Sequence, residues 1–129
     1  MSIELQMLVW STVLGLVHVL VGATLSTQQR GLAWNAGARD GTAKPLAGIA
    51  ARVDRALHNF LETFPFFVVA VLVVTLTQRN SAATVLGAQL YFWARLVYVP
   101  VYAAGIPYLR SVVWGVSLVG LVKLLLPLF

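Results

Sequence analysis

Four stretches of this chain, residues 5–27, 56–77, 82–104 and 106–128, are apolar almost throughout, and each is long enough to cross a bilayer as a helix. About 20 residues at 1.5 Å each span a hydrocarbon layer of about 30 Å. In lipid every backbone N–H and C=O must be satisfied within the protein, which leaves helices and closed barrels as the only spanning structures. Barrel strands alternate polar and apolar residues over about ten positions, and these segments do not. The sequence therefore predicts an all-α integral membrane protein, a four-helix bundle in which residues 1–129 form one domain. Composition agrees: 60% of residues are hydrophobic and 10% are charged, against roughly 25% charged in a soluble domain.

The leader "MSIELQ" carries no positive charge and the apolar run behind it outlasts a signal-peptide core, so the first segment reads as a retained span. Charge placement sets the orientation. Arg30, Arg39 and Lys44 lie between the first and second segments with Arg52 and Arg55 just beyond, whereas Arg79 is the one cation between the second and third. The positive-inside rule then places the long first connection and Arg110 in the cytoplasm and both termini outside. The net charge of +5 reflects this topology and an anionic ligand; no basic soluble surface exists to hold nucleic acid. The chain has no cysteine, and its two histidines, His18 and His58, have no metal-ligand spacing. No metal is expected, and any thiol chemistry must draw its sulfur from a small molecule.

The connection "QQRGLAWNAGARDGTAKPLAG" is punctuated by glycines and by Pro45, and reads either as a plain interfacial connector or as a loop that also covers a ligand. The costly groups come next. In "RVDRALHNFLE", Arg52, Arg55, Asn59 and Glu62 fall on one helical face with His58 at its edge. The third segment answers with Tyr91, Arg95, Tyr98 and Tyr102, spaced four, three and four. Helical rise puts Glu62 and Arg95 at similar depths, about 9–14 Å from the cytoplasmic end, so the two can meet. A charge at mid-helix costs about 2.5–3.5 kcal/mol on insertion scales, so these side chains must face protein or water. A structural network accounts for Glu62 with Arg95 but leaves Arg52, Arg55 and Arg110 over, and surplus cations point to an anion pocket. Pro65 and Pro100 free backbone carbonyls beside the same residues. His18, on an apolar face, reads as a packing residue with a local hydrogen bond. Trp10, Trp93 and Trp114 read as belt or packing residues, and Glu4 as a tip reaching the interface. "GAQLYFWA" offers small residues for close helix contact.

"RVDRALHNFLETFPFF", with "ARLVYVPVY" and "LRSV" downstream, resembles the MAPEG family, the membrane-associated proteins in eicosanoid and glutathione metabolism, and its wording looks like a bacterial branch. The resemblance covers nearly the whole chain. It implies a homotrimer that binds glutathione as cosubstrate between neighbouring subunits near the cytoplasmic side, surrounded by membrane lipids. By motif, Arg55, Asn59 and Glu62 would hold the peptide's polar groups, with Arg52 and His58 beside them. Tyr98 and Tyr102 would line the cavity, Arg95 would brace it, and Arg30 is a looser match to an arginine gripping a carboxylate. Arg110 takes the place of the arginine that stabilises the glutathione thiolate, and Ser111 follows it. His58 departs from the arginine found there in one branch. The implied activity is a glutathione-dependent transferase or peroxidase acting on hydrophobic electrophiles. The rivals are a non-catalytic lipid-binding or scaffold member and a small four-helix transporter; the latter fits poorly with so many arginines.

Overall fold

The computed structural model describes residues 1–129, and the fold is helical throughout. Five helices follow one another: α1 (Ile3–Arg30), α2 (Leu32–Ala36), α3 (Gly48–Leu76), α4 (Ala82–Ala103) and α5 (Pro107–Leu125), closed by a 3-10 turn at Leu126–Leu128. Three are long and apolar enough to cross a membrane, Ile3–Arg30, Gly48–Leu76 and Pro107–Leu128, with mean hydropathies of 1.9, 2.0 and 1.9. The protein is a multi-pass membrane protein. The remaining long helix, α4, has 22 residues, but Gln89, Arg95 and the tyrosines at 91, 98 and 102 dilute its apolar character. Its place explains that composition. Tyr91, Arg95 and Tyr98 are all buried among the other helices, so its polar groups meet protein.

The helices overrun the apolar segments at the arginine-rich end. The α1 helix continues through Arg30 and α3 has already begun at Gly48, because Ala-rich polar turns remain good helix formers where water reaches them. The connection between them is stapled to the end of α1. Gln29 donates to the Ala47 carbonyl and accepts from the Ala47 amide, both at 2.9 Å. Arg30 Nε donates to the Lys44 carbonyl at 2.7 Å, and Asn35 donates to Thr27 Oγ1. At the opposite end Ser2 caps α1, and Ser81 and Thr84 form a reciprocal capping box on α4.

Packing follows heptad spacing. The buried residues of α1 are Glu4, Ser11 and His18, seven apart, and Thr84, Tyr91 and Tyr98 on α4 repeat the interval. A repeat of 3.5 residues per turn keeps one seam against a neighbouring helix. Its first layer is bonded: Thr84 Oγ1 donates to Glu4 Oε1 at 2.6 Å. Glu4 is 1% exposed, which corrects the expectation of a tip at the interface. The first turns of α1 and α4 lie together there, and two helix N-termini favour a carboxylate.

The apolar core joins Phe67, Ala70, Val71 and Val74 of α3 to Ala88 and Tyr91 of α4 and Leu121 and Leu124 of α5. Phe67 stacks on Tyr91 with centroids 4.0 Å apart. The α4 and α5 backbones touch at Gly87 and Gly120, where a Cβ on either would lie 2.7 or 2.6 Å from the other's carbonyl oxygen. Bringing α5 so close to α4 holds Arg110, at the start of α5, over the last turn of α4.

Candidate functional site

The site is built where α3 begins, α4 ends and α5 begins. Arg52 Nη1 donates to the Ala103 carbonyl at 3.0 Å, closing the C-terminus of α4, where cations are favoured. Chain reversal follows at Gly105, whose φ of +75° suits glycine and which lies against the Arg52 guanidinium. Pro107 occupies the first turn of α5, where its missing N–H costs nothing. One turn further, Arg110 lies with its Cζ 4.8 Å from the Tyr102 ring centroid. From the other side Arg55 Nε donates to the Tyr102 hydroxyl at 3.1 Å. Tyr102 is thus held between two guanidinium groups, and Tyr98 meets its edge at 5.5 Å between centroids.

Two hollows open on this arrangement. One, of about 320 Å³, is lined by Arg52, Arg55, Tyr102, Gly105, Ile106, Pro107 and Arg110. The other, of about 210 Å³, is lined by Asn59, Tyr98, Arg110, Ser111 and Trp114. Arg110 belongs to both. Beneath them lies Arg95, 1% exposed, whose Nη1 donates to Asn59 Oδ1 at 2.8 Å and whose Cζ sits 4.3 Å from the Tyr98 ring centroid. One buried cation therefore fixes an amide on α3 and an aromatic on α4 that share a wall.

The charges do not cancel. The one contact between a basic and an acidic side chain within 4 Å is His58 with Asp54, at 3.7 Å, so Arg52, Arg55 and Arg110 face the first hollow without a carboxylate partner. The expected meeting of Glu62 with Arg95 is replaced by Asn59 with Arg95. Three residues along a helix turn it by about 300°, so Glu62 lies about a sixth of a turn round from Asn59 and is exposed on the outward face of α3. Arg55 and His58 are exposed on that face too.

Of the residues singled out in the sequence, Arg52, Arg55, Tyr102 and Arg110 share the first hollow, and Asn59, Tyr98, Arg110 and Ser111 share the second. Arg95 supports both walls. His58 and Glu62 stand beside the hollows, and Arg30 is engaged with the Lys44 carbonyl. Gly105, Ile106, Pro107 and Trp114 enter the lining unanticipated. The Gly-Ile-Pro turn directly before "YLRS" was the available signal for the first three. Chemically, three guanidinium groups around a tyrosine with no carboxylate against them form a cationic surface whose forks match the geometry of a carboxylate.

The family model described as the MAPEG family matches residues 7–129. Comparison with curated proteins and with solved structures finds no match.

Proposed function

The chain belongs to the MAPEG family, and from that premise we propose that it is a membrane-bound glutathione-dependent transferase or peroxidase acting on hydrophobic electrophiles. The observation that carries this reading is the hollow of about 320 Å³ bounded by three arginines with no carboxylate against them. Glutathione suits it chemically. At neutral pH the peptide carries two carboxylates and one ammonium, and here three arginines outnumber the two nearby acids, Asp54 and Glu62. Arg55 and Arg52 would take carboxylates, Glu62 the ammonium, and Asn59 the peptide amides, with Tyr98 and Tyr102 as walls. Arg110, common to both hollows, would face the sulfur.

Glutathione as cosubstrate supplies a thiol, and the chain's part is to hold it as thiolate in a place reached from the lipid. A free thiol has a pKa of about 8.5, and an adjacent guanidinium lowers it. Ser111 adds a hydroxyl beside Arg110 for an oxygen developing charge on the second substrate. Small electrophiles and peroxides dissolved among the acyl chains would approach along the apolar helix faces.

The same reading extends to assembly and topology. Arg55, His58 and Glu62 line one exposed face of α3, and Phe66, Val69 and Leu76 continue it with 65%, 58% and 82% exposure. A carboxylate facing acyl chains is costly, so that face is covered by neighbouring copies in a homotrimer, with Arg30 of one subunit near the site of the next. In this account α4 is the fourth span, the arginine-rich end is cytoplasmic, and both termini lie on the outer side of a bacterial inner membrane.

Calorimetric titration of glutathione into the solubilised protein, alongside Arg55→Ala and Arg110→Ala, tests the proposal. Saturable binding to the parent, weakened at least tenfold in Arg55→Ala, supports it. Absence of binding at millimolar glutathione overturns it.

A further inference from the structure

Three buried side-chain atoms lack a hydrogen-bond partner within the chain: Ser11 Oγ, His18 Nδ1 and Arg95 Nε. Two of them are complementary. His18, 4% exposed, has Nε2 3.1 Å from the Val53 carbonyl oxygen. A carbonyl only accepts, so Nε2 carries the proton, and Nδ1 of the neutral ring is an acceptor. Arg95 Nε–H can only donate. A sealed acceptor on α1 and a sealed donor on α4 therefore flank Phe60 of α3: the Arg95 Cζ lies 5.7 Å from its ring centroid, and a Cβ on Gly15, one turn before His18, would lie 2.9 Å from its Cε1. The heptad interval places His18 on the buried line of α1 beside α3 and α4. Leaving both groups unpaired would incur the full desolvation penalty of each.

We propose that His18 is a positioning residue for the site, linked to Arg95 through one internal water that accepts from Arg95 Nε–H and donates to His18 Nδ1. Two partners of this kind suffice to hold a buried water. The link extends a chain of supports. The Val53 carbonyl fixes the tautomer and orientation of His18, His18 fixes the water, and the water fixes the rotation of the guanidinium. The other end of Arg95 holds Asn59, and its face covers Tyr98. Asn59 and Tyr98 are walls of the hollow that also contains Arg110 and Ser111. Through this route α1, which contributes no lining residue to either hollow, sets the geometry of a site made by the other helices.

The proposal rests on the glutathione reading only for its functional consequence, so two readouts are needed. Magnetisation transfer from water to the Arg95 Nε–H, measured by NMR on the labelled parent in micelles, detects the link without any ligand. A cross-peak to a long-lived water is expected, and it should vanish in His18→Phe. Glutathione affinity is the second readout. His18→Gln keeps a donor for Val53 and an acceptor for the water and should bind within about twofold of the parent, whereas His18→Phe should bind about tenfold more weakly. No water cross-peak in the parent overturns the proposal whatever the variants do. Equal affinities for the glutamine and phenylalanine variants overturn the positioning role. A parent that shows the water but binds no glutathione sinks the cosubstrate and leaves the His18–Arg95 link standing.

Discussion

Removing the Arg110 guanidinium should return the bound thiol of glutathione most of the way to its solution acidity. Arg110 borders both hollows and has no carboxylate partner, so its charge is free to act on a ligand. A unit charge about 4 Å away contributes roughly 4 kcal/mol at an effective dielectric of 20, equivalent to about 3 pKa units at 1.36 kcal/mol each. The first hollow is open to water, and solvent screening reduces this to about 1.5 units. Removing a cation destabilises the thiolate, so the pKa rises. From a bound value near 7, with about half the sulfur ionised at pH 7, Arg110→Ala should move towards about 8.5 and leave about 3% ionised. The assay is the ultraviolet absorbance of the thiolate as a function of pH, at saturating glutathione, for parent and variant. Titration midpoints within 0.3 units of each other would refute the role given to Arg110.

Other substitutions test other parts of the account. Gly120→Leu forces a side chain into a gap where even a Cβ would lie 2.6 Å from the Gly87 oxygen, and should destabilise the protein by about 1–3 kcal/mol or more, read as a lower unfolding midpoint in detergent. Thr84→Val removes the hydroxyl that donates to the buried Glu4 carboxylate and should cost about 1–3 kcal/mol by the same measurement; Glu4→Gln with Thr84→Val should recover part of it. Glu62→Gln, on an exposed face, should weaken glutathione binding about tenfold with an unchanged unfolding midpoint; a parental affinity would remove Glu62 from the site.

How far the sequence carried this picture depended on what fixes each residue. The helical character came from backbone satisfaction in lipid, which few local details disturb. Arg55, Asn59, Tyr98 and Tyr102 came from 3.6-residue spacing on two helices of opposite direction, and their gathering needed only the helical rise. The partner of Arg95 was different. Asn59 and Glu62 are both within reach of a long side chain, and the choice turns on about 60° of helix rotation, which tertiary packing sets and spacing does not. Glu4 was misplaced for a related reason: a carboxylate near a helix start usually meets water, and only the adjacent start of α4 provides Thr84 and a second helix terminus. The spacing of Glu4, Ser11 and His18 was present in the sequence as a heptad, yet polar residues on an otherwise apolar helix give no sign of a buried seam until Thr84, Tyr91 and Tyr98 are set against them. Gly105, Ile106 and Pro107 became lining residues through chain reversal, which hydropathy does not register.

The central claim is that unpaired arginines at the junction of α3, α4 and α5 bind the carboxylates of glutathione. The most direct measurement compares the equilibrium binding of glutathione with that of its dimethyl ester, which keeps the thiol, the ammonium and the peptide bonds but has no carboxylate charge. Charge-assisted contacts worth about 1.5–3 kcal/mol each predict saturable binding of the free acid and a loss of about a hundredfold or more for the ester. Equal binding of the two, or tighter binding of the ester, would contradict the account.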